Sequence, residues 1–374
     1  MKRLVLVGGG HAHAQVLRGW SGSAMADTEL CLVSPQALAP YSGMVPGWLA
    51  GDYAFEAMCI DFEALAQTAG ARWLATEVVA LDAAARTLTL ADGSSLAYDW
   101  LSLNIGSTLQ SPAAPPNGRV LALRPLSGLH DAWQALLHDP WLTDDDAPLA
   151  ITTIGGGAAG IESLLAVCAT LRRLLPRRTL LPRLITRSER LLPGMAEGAA
   201  RHAAKALQAA GAQVQCGLDA TRLLKSPARA PGLLLWAAGA QAHAWPRSSG
   251  LACSEAGFVQ INAQLQSPSH PEVMAVGDCA EWATPLPKAG VYAVRQGPVL
   301  LHNLKAMVAG HGSGKSGAPA LLTYVPQTRA LALLATGNRR AIAAWGDWSA
   351  EGAWLWHWKD WIDRRFIDGF ALKP

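Results

Sequence analysis

Paired cysteines are what this sequence most plainly lacks. Its six cysteines, Cys31, Cys59, Cys168, Cys216, Cys253 and Cys279, stand far apart with no CxxC or CxxxxC spacing. That excludes a local redox disulfide and a zinc site of clustered thiolates, so no metal is expected. No apolar run reaches the ~18 residues of a membrane-spanning helix. Charge of one sign is missing too: 31 Lys and Arg against 28 Asp and Glu leave +3 over 374 residues, with no acidic or basic block. Nucleic acid is therefore not an expected partner. The first apolar run opens at residue 2, which leaves no room for a signal peptide and points to a cytoplasmic protein. What is abundant is apolar residue, at 51%, enough for two or three domain cores. Tryptophan is plentiful as well: there are fifteen, six of them within residues 345–361.

Residues 2–7 make a short apolar run that ends in Gly8-Gly9-Gly10. From His11 to Trp20 the pattern turns helical, with Val16, Leu17 and Trp20 on one face. That is strand, tight turn, helix. Unsatisfied N–H groups and the helix dipole make such a helix start an anion site. Gly8 and Gly10 take the first two places of the dinucleotide fingerprint GxGxxG, and His13 holds the third. A second copy follows an apolar run at 150–154: Gly155, Gly157 and Gly160 complete the fingerprint, and 161–175 reads as helix. Two nucleotide folds imply two dinucleotides, a flavin and a nicotinamide. The fold class is α/β, with two Rossmann-like (three-layer ββα/βαβ) nucleotide-binding domains and a small C-terminal α+β region.

In order along the chain, 29–33 is the second strand of the first fold, closing on Ser34 where an acidic ribose contact is usual. Residues 40–47, rich in Pro and Gly, read as irregular loop, and 53–70 as helix. Residues 72–81 and 87–90 pair as strands, and 98–104 is a strand closing on Ile105-Gly106-Ser107. In the second fold, strands fall at 181–186, 212–216 and 232–237, with a helix at 199–210. An apolar strand then ends at Gly277-Asp278, a helix starts near Gly290, and 311–318 reads as a linker.

These residues carry a resemblance. The two glycine turns, Ala275-Val276-Gly277-Asp278 and the segment from Leu286 to Gly297 resemble the FAD-dependent pyridine nucleotide-disulfide oxidoreductase superfamily. Gly10-His11-Ala12-His13, Pro40-Tyr41-Ser42-Gly43-Met44 and the stretch from Trp358 to Phe366 are most similar to its type II NADH dehydrogenase-like branch, found alone or fused ahead of selenide, water dikinase. The resemblance implies an FAD-binding domain in two parts, 1–120 and 238–318, an NAD(P)H-binding domain at 121–237, and a C-terminal interface domain at 319–374. It places the FAD pyrophosphate on Gly8, Gly9 and Gly10 with His11 and Ala12, and the ribose at Ser34. Pro40, Tyr41, Gly106 and Ser107 line the cofactor, Gly277 and Asp278 take the ribityl chain, and the helix from Gly290 and Val291 aims its positive end at the flavin O2. Gly155, Gly157 and Gly160 hold the coenzyme. Glu162 and Lys288 are the implied catalytic residues, Glu162 near the two rings or simply solvated, Lys288 beside the reduced flavin or simply on the surface.

The implied activity is hydride transfer from NADH or NADPH to FAD, then electron delivery to a small acceptor. A quinone is expected first; a sulfur or selenium compound, or a redox sensor with little turnover, is the alternative. Two departures bear on this: no cysteine pair serves a thiol relay, and Val291 and Arg295 replace the two glutamines of the quinone-reducing motif AQxAxQxG. Thr186 ends the second strand of the coenzyme fold, and Arg187 and Arg190 follow as an expected clamp for the NADPH 2′-phosphate. At the C-terminus Trp354, Trp358, Trp361, Ile362, Arg365, Phe366 and Phe370 share one helical face, with Lys359, Asp360, Asp363 and Arg364 opposite. That face would lie on the inner side of a membrane, on the protein's own sheet, or on a second copy in a homodimer.

Overall fold

The computed structural model describes residues 1–21, 27–114, 117–143, 147–220, 232–312, 320–327 and 329–371. Two five-stranded parallel sheets dominate. The first runs Val273–Ala275, Trp100–Leu103, Lys2–Val7, Thr28–Val33, Arg72–Leu74. The second repeats the plan as Arg119–Ala122, Gly232–Trp236, Leu149–Ile154, Leu180–Ile185, Gln213–Gln215. In each, the fingerprint strand is central and chain order reverses beside it, which opens a crevice at the strand ends where the glycine turns sit. Strands covered on both faces are continuously apolar: Leu4 to Val7 and Leu30 to Val33 are buried without alternation.

The far edge strand of the first sheet arrives only after the whole second sheet, so the second fold is inserted in the first. The helix Gly290–Gly312 then returns against the helix His11–Trp20, with Gln15 Nε2 donating to the Val294 carbonyl at 2.7 Å. An antiparallel meander, Val78–Asp82, Thr87–Leu90 and Ser95–Ala97, flanks the first fold. A second meander, Ala332–Ala335, Ala341–Trp345 and Trp348–Gly352, leads into the C-terminal helix Ala353–Asp368.

Several expectations change. The helix read over 53–70 shrinks to Phe62–Thr68, because Asp61 caps it by accepting from Ala64 N at 2.9 Å and Cys59–Asp61 is drawn into a strand against Leu38–Pro40. The loop read over 40–47 contains the start of a short helix, Val45–Leu49, whose Pro46 sits where a missing N–H is harmless. The single strand read over 72–81 is two, in different sheets. Arg119–Ala122 is a strand that the sequence reading did not assign, and the boundary expected at 120/121 cuts it. Residues 115–116 and most of the linker read over 311–318 lie outside the described residues.

The largest correction concerns the C-terminal helix. Lys359 and Asp363, read as solvent-facing, are buried with Leu355 and Trp356, while Trp354, Trp358 and Trp361 face outward. Burial is tolerated because Lys359 and Asp363 pair with each other at 2.6 Å. Among the described residues no helix is long and apolar enough to cross a membrane.

Candidate active site

At the first turn Gly8 has φ +98°, and a methyl group there would stand 2.5 Å from the Asn104 carbonyl oxygen. One on Gly10 would meet Asn104 Oδ1 at 2.1 Å. Asn104 closes the neighbouring strand, and its side chain bridges three segments. Oδ1 accepts from Ala12 N at 3.1 Å and His13 N at 3.4 Å, while Nδ2 donates to the Val276 carbonyl at 3.1 Å. His13, in place of the third glycine, is fully buried, with Nδ1 2.8 Å from the Gly8 carbonyl and Nε2 2.8 Å from Ser102 Oγ. Burial pushes its pKa down to about 4, so the ring is neutral. A neutral ring facing a carbonyl protonates Nδ1, which leaves Nε2 to accept from Ser102. Hydrogen bonds thus replace the close helix–strand contact that a glycine gives. Ser34 is buried and donates to the Gln36 carbonyl at 3.2 Å.

Across the crevice, Gly277 has φ +69° and its amide donates to Gln296 Oε1 at 2.7 Å. Asp278 accepts from Ser107 Oγ at 3.3 Å, and the Arg124 guanidinium donates to both. Gly106 also takes positive φ, +67°. A methyl on Gly290 would lie 2.8 Å from Ser42 Oγ and 3.5 Å from His11 Cε1, so the helix starting at Gly290 and Val291 packs its first residue against His11 and the loop after Pro40. His11, Tyr41 and Phe366 form an aromatic wall there, with ring centres 5.1 Å, 6.0 Å and 4.7 Å apart. Burial holds His11 neutral, down to about 4, although Asp278 pulls the other way.

Lys288 is committed elsewhere. Its ammonium donates to the Ala280 carbonyl at 2.7 Å, lies 3.7 Å over the Phe258 ring and stands 3.9 Å from Glu281. These neighbours brace Lys288 locally and spend one of its three N–H donors on a backbone carbonyl.

At the second turn the three glycines meet three separate demands. Gly155 has φ +127°, with the Ala237 carbonyl 2.6 Å from any methyl. Gly157 has nothing within 4 Å, which leaves the open approach that a pyrophosphate requires. Gly160 packs so that a methyl would stand 2.1 Å from the Gly155 carbonyl. Both turns therefore fit dinucleotides, the second without substitution. The arginine clamp does not close: Arg187 is exposed with no ion pair among the described residues, whereas Arg190 donates to the Met195 carbonyl at 2.7 Å. Arg190 instead lines a recess with Glu197, Arg329 and Asp347, to which Arg187 does not contribute.

Glu162 is not solvated. It is buried, accepts from Ala335 N at 2.7 Å, and is raised to about 7 by burial, with Lys359 pulling it partly back. Lys359 Nζ donates to Asp363 and to the Gly43 carbonyl at 2.5 Å, and the Tyr41 hydroxyl lies beside Asp363. Sequence reading missed Asn104, Arg124, Lys359 and Asp363 as site residues. A carboxamide ending an apolar strand just before Gly106 was a usable signal for Asn104, and i, i+4 spacing was one for the Lys359–Asp363 pair; Arg124 had none. Burial raises the thiols of Cys31 and Cys279 to about 11 and those of Cys59 and Cys168 to about 12, so these sulfurs stay protonated.

The family model for pyridine nucleotide-disulphide oxidoreductases matches residues 2–297. Over 205 residues the chain is 27% identical to monodehydroascorbate reductase 5, chloroplastic, of Oryza sativa subsp. japonica. That alignment covers 50% of this chain and only 40% of the reductase. The sulfide:quinone oxidoreductase of Aquifex aeolicus superposes with a TM-score of 0.76 at 16% identity, over 99% of this chain and 92% of that one. NDH2 from Plasmodium falciparum, in complex with NADH, gives 0.75 at 10% identity, over 99% and 97%. These two likenesses are of fold.

Proposed function

The chain belongs to the pyridine nucleotide-disulphide oxidoreductase family, and from that premise we propose that it passes electrons from NAD(P)H to a small quinone-like acceptor. It is an oxidoreductase that uses FAD with NADH or NADPH. Bound FAD supplies hydride acceptance and two-electron delivery; the protein supplies alignment. In this reading Gly8, Gly9, Gly10, His11 and Ala12 hold the pyrophosphate, with Asn104 fixing the turn. Ser34 faces the ribose. Pro40, Tyr41, Gly106, Ser107, Gly277 and Asp278 line the ribityl chain and ring, and the helix start at Gly290 and Val291 stabilises negative charge on the reduced ring. Gly155, Gly157 and Gly160 carry the coenzyme, with Arg187 at its adenosine end and Glu162 toward the ring junction.

The observation that carries the acceptor is the His11–Tyr41–Phe366 wall beside the Gly290 helix start, in a chain with no thiol pair. Without a thiol relay, electrons leave directly for a molecule that can lie against aromatic edges, and a planar quinone suits that wall better than a sulfur anion. The sulfide:quinone oxidoreductase among the structural neighbours supports the same direction by its name. Steady-state NAD(P)H oxidation with ubiquinone analogues, polysulfide and selenite tests it. Quinone turnover should be fastest; faster reduction of polysulfide or selenite overturns the acceptor.

A further inference from the structure

The first glycine turn carries two histidines, and the fold uses the ring of only one. His13 engages both nitrogens inside the protein, on the Gly8 carbonyl and on Ser102 Oγ, each at 2.8 Å. His11 opens the same helix and engages neither. Its backbone carbonyl accepts from Gln15 Nε2 at 3.4 Å, but among the described residues its ring nitrogens have no hydrogen-bond partner. The ring is held all the same. Tyr41 and Phe366 pack against it in T-shaped pairs at 69° and 90°, and a methyl on Gly290 would stand 3.6 Å from its Nδ1. Tyr41 follows the strand Leu38–Pro40 and Phe366 belongs to the C-terminal helix, so the ring is fixed from segments outside both glycine turns. Asp278, the carboxylate that acts on it, is engaged by Ser107 and Arg124. Burial keeps the ring uncharged at neutral pH, with one N–H to give and one nitrogen to accept. A donor fixed in an aromatic wall without a partner is unfavourable until a ligand meets it.

We propose that the imidazole N–H of His11 receives a carbonyl oxygen of the electron acceptor, and that this contact selects a planar quinone over acceptors without a carbonyl. The inference rests on the acceptor reading above and names the group that orients the acceptor. Tyr41 and Phe366 offer aromatic surface to a flat ring, and His11 adds one polar point within that surface. An apolar lining with a single placed donor is how small-molecule sites fix orientation. The donor also matters for charge. As a quinone takes up electrons its oxygens become more negative, so a hydrogen bond aimed at one of them strengthens during reduction. An uncharged imidazole serves that purpose, since it polarises an oxygen without having to surrender a proton. Polysulfide and selenite gain little here: they have no flat ring for the wall, and the uncharged ring gives them no ion-pair partner.

The test uses FAD-loaded protein in the oxidised state, which binds a quinone without reducing it, so binding is read apart from turnover. Protein carrying isotope-labelled histidine is titrated with a water-soluble ubiquinone analogue, and the ring nitrogens are followed by NMR. The His11 signal, identified by its loss in His11→Gln, should move on quinone addition while that of His13 stays. The shift of the flavin absorption band on the same titration gives the quinone Kd. His11→Phe keeps an aromatic ring and removes the donor, and should weaken Kd by about tenfold. His11→Gln restores an N–H and should recover most of that affinity. A merely structural role predicts the reverse order, because glutamine breaks the wall and phenylalanine does not. That reverse order overturns the proposal. So does a His11 signal that moves when FAD is added to apoprotein and not when quinone is added, which would give the ring to the cofactor. Should either variant lose its FAD, the wild-type NMR titration decides alone. Quinone that binds and is reduced equally well by wild type and His11→Phe sinks this inference and leaves the acceptor reading standing; quinone that wild type neither binds nor reduces sinks the acceptor reading itself.

Discussion

Glu162 shows how one side chain links stability to pH. Its carboxyl titrates near 4.5 in an unfolded chain and about 7 in the fold, so the folded value is the raised one. Stability from this group is therefore full below 4.5 and lost as pH rises through 7, by up to about 3 kcal/mol. His11 and His13 act in the opposite sense: each is lowered from 6.5 to about 4, and their contribution is lost as pH falls through that range. Urea midpoints against pH, compared between wild type and Glu162→Gln, should isolate the first term; parallel curves would refute it. The proposed place of Arg187 at the adenosine end of the coenzyme makes a second prediction. With Arg190 turned to Met195, Arg187→Ala should cost about 1.5 kcal/mol, roughly tenfold, in NADPH affinity, and leave NADH affinity unchanged. Anaerobic flavin bleaching with each coenzyme measures this, and a strong NADH preference untouched by the substitution sinks it. Asp278→Ala should yield protein short of FAD, since the change also strands the Arg124 guanidinium; full flavin content after purification would contradict it.

Among elements, the glycine turns and the strands they follow were legible because both rest on local rules: an apolar run, a turn needing positive φ, a helix start. The helix expected over 53–70 failed because Asp61 offered a cap and Leu38–Pro40 offered a strand partner, and the latter is a tertiary fact. Helical periodicity correctly found the C-terminal helix but misassigned Lys359 and Asp363, since it counts charge as solvent-seeking and cannot see that two charges neutralise each other against Gly43. Cut off from the core, Trp354, Trp358 and Trp361 are 57%, 38% and 55% exposed, joined by Trp345 and Trp348 on the adjoining hairpin. Indole rings at that exposure favour a lipid headgroup layer. We expect the full chain to float with liposomes and the triple Trp354, Trp358 and Trp361→Ser variant to stay behind. No flotation of wild type, with a shift to dimer mass in its place, would assign this face to a second copy. Truncating the helix would not make the same test, because Leu355 and Asp363 are part of the packed interior.

At the scale of the whole molecule, the resemblance of the chain to its family and the presence of two nucleotide folds were readable from the ends of two strands, while the meeting of distant segments was not. Tyr41, Glu162 and Asp363 are brought together from the first fold, the inserted fold and the last helix, and no spacing rule spans such separations. The insertion has a further consequence in time. A ribosome delivers all of the second sheet, through Gly232–Trp236, before it makes Val273–Ala275, the edge strand that completes the first sheet. The inner fold can close while the outer one is still four-stranded, and the residues that neutralise the interior at Gly43 are made later still. Protease resistance in stalled nascent chains should thus spread outward from the middle of the sequence, reaching the N-terminal strand only after the segment that was synthesised hundreds of residues behind it.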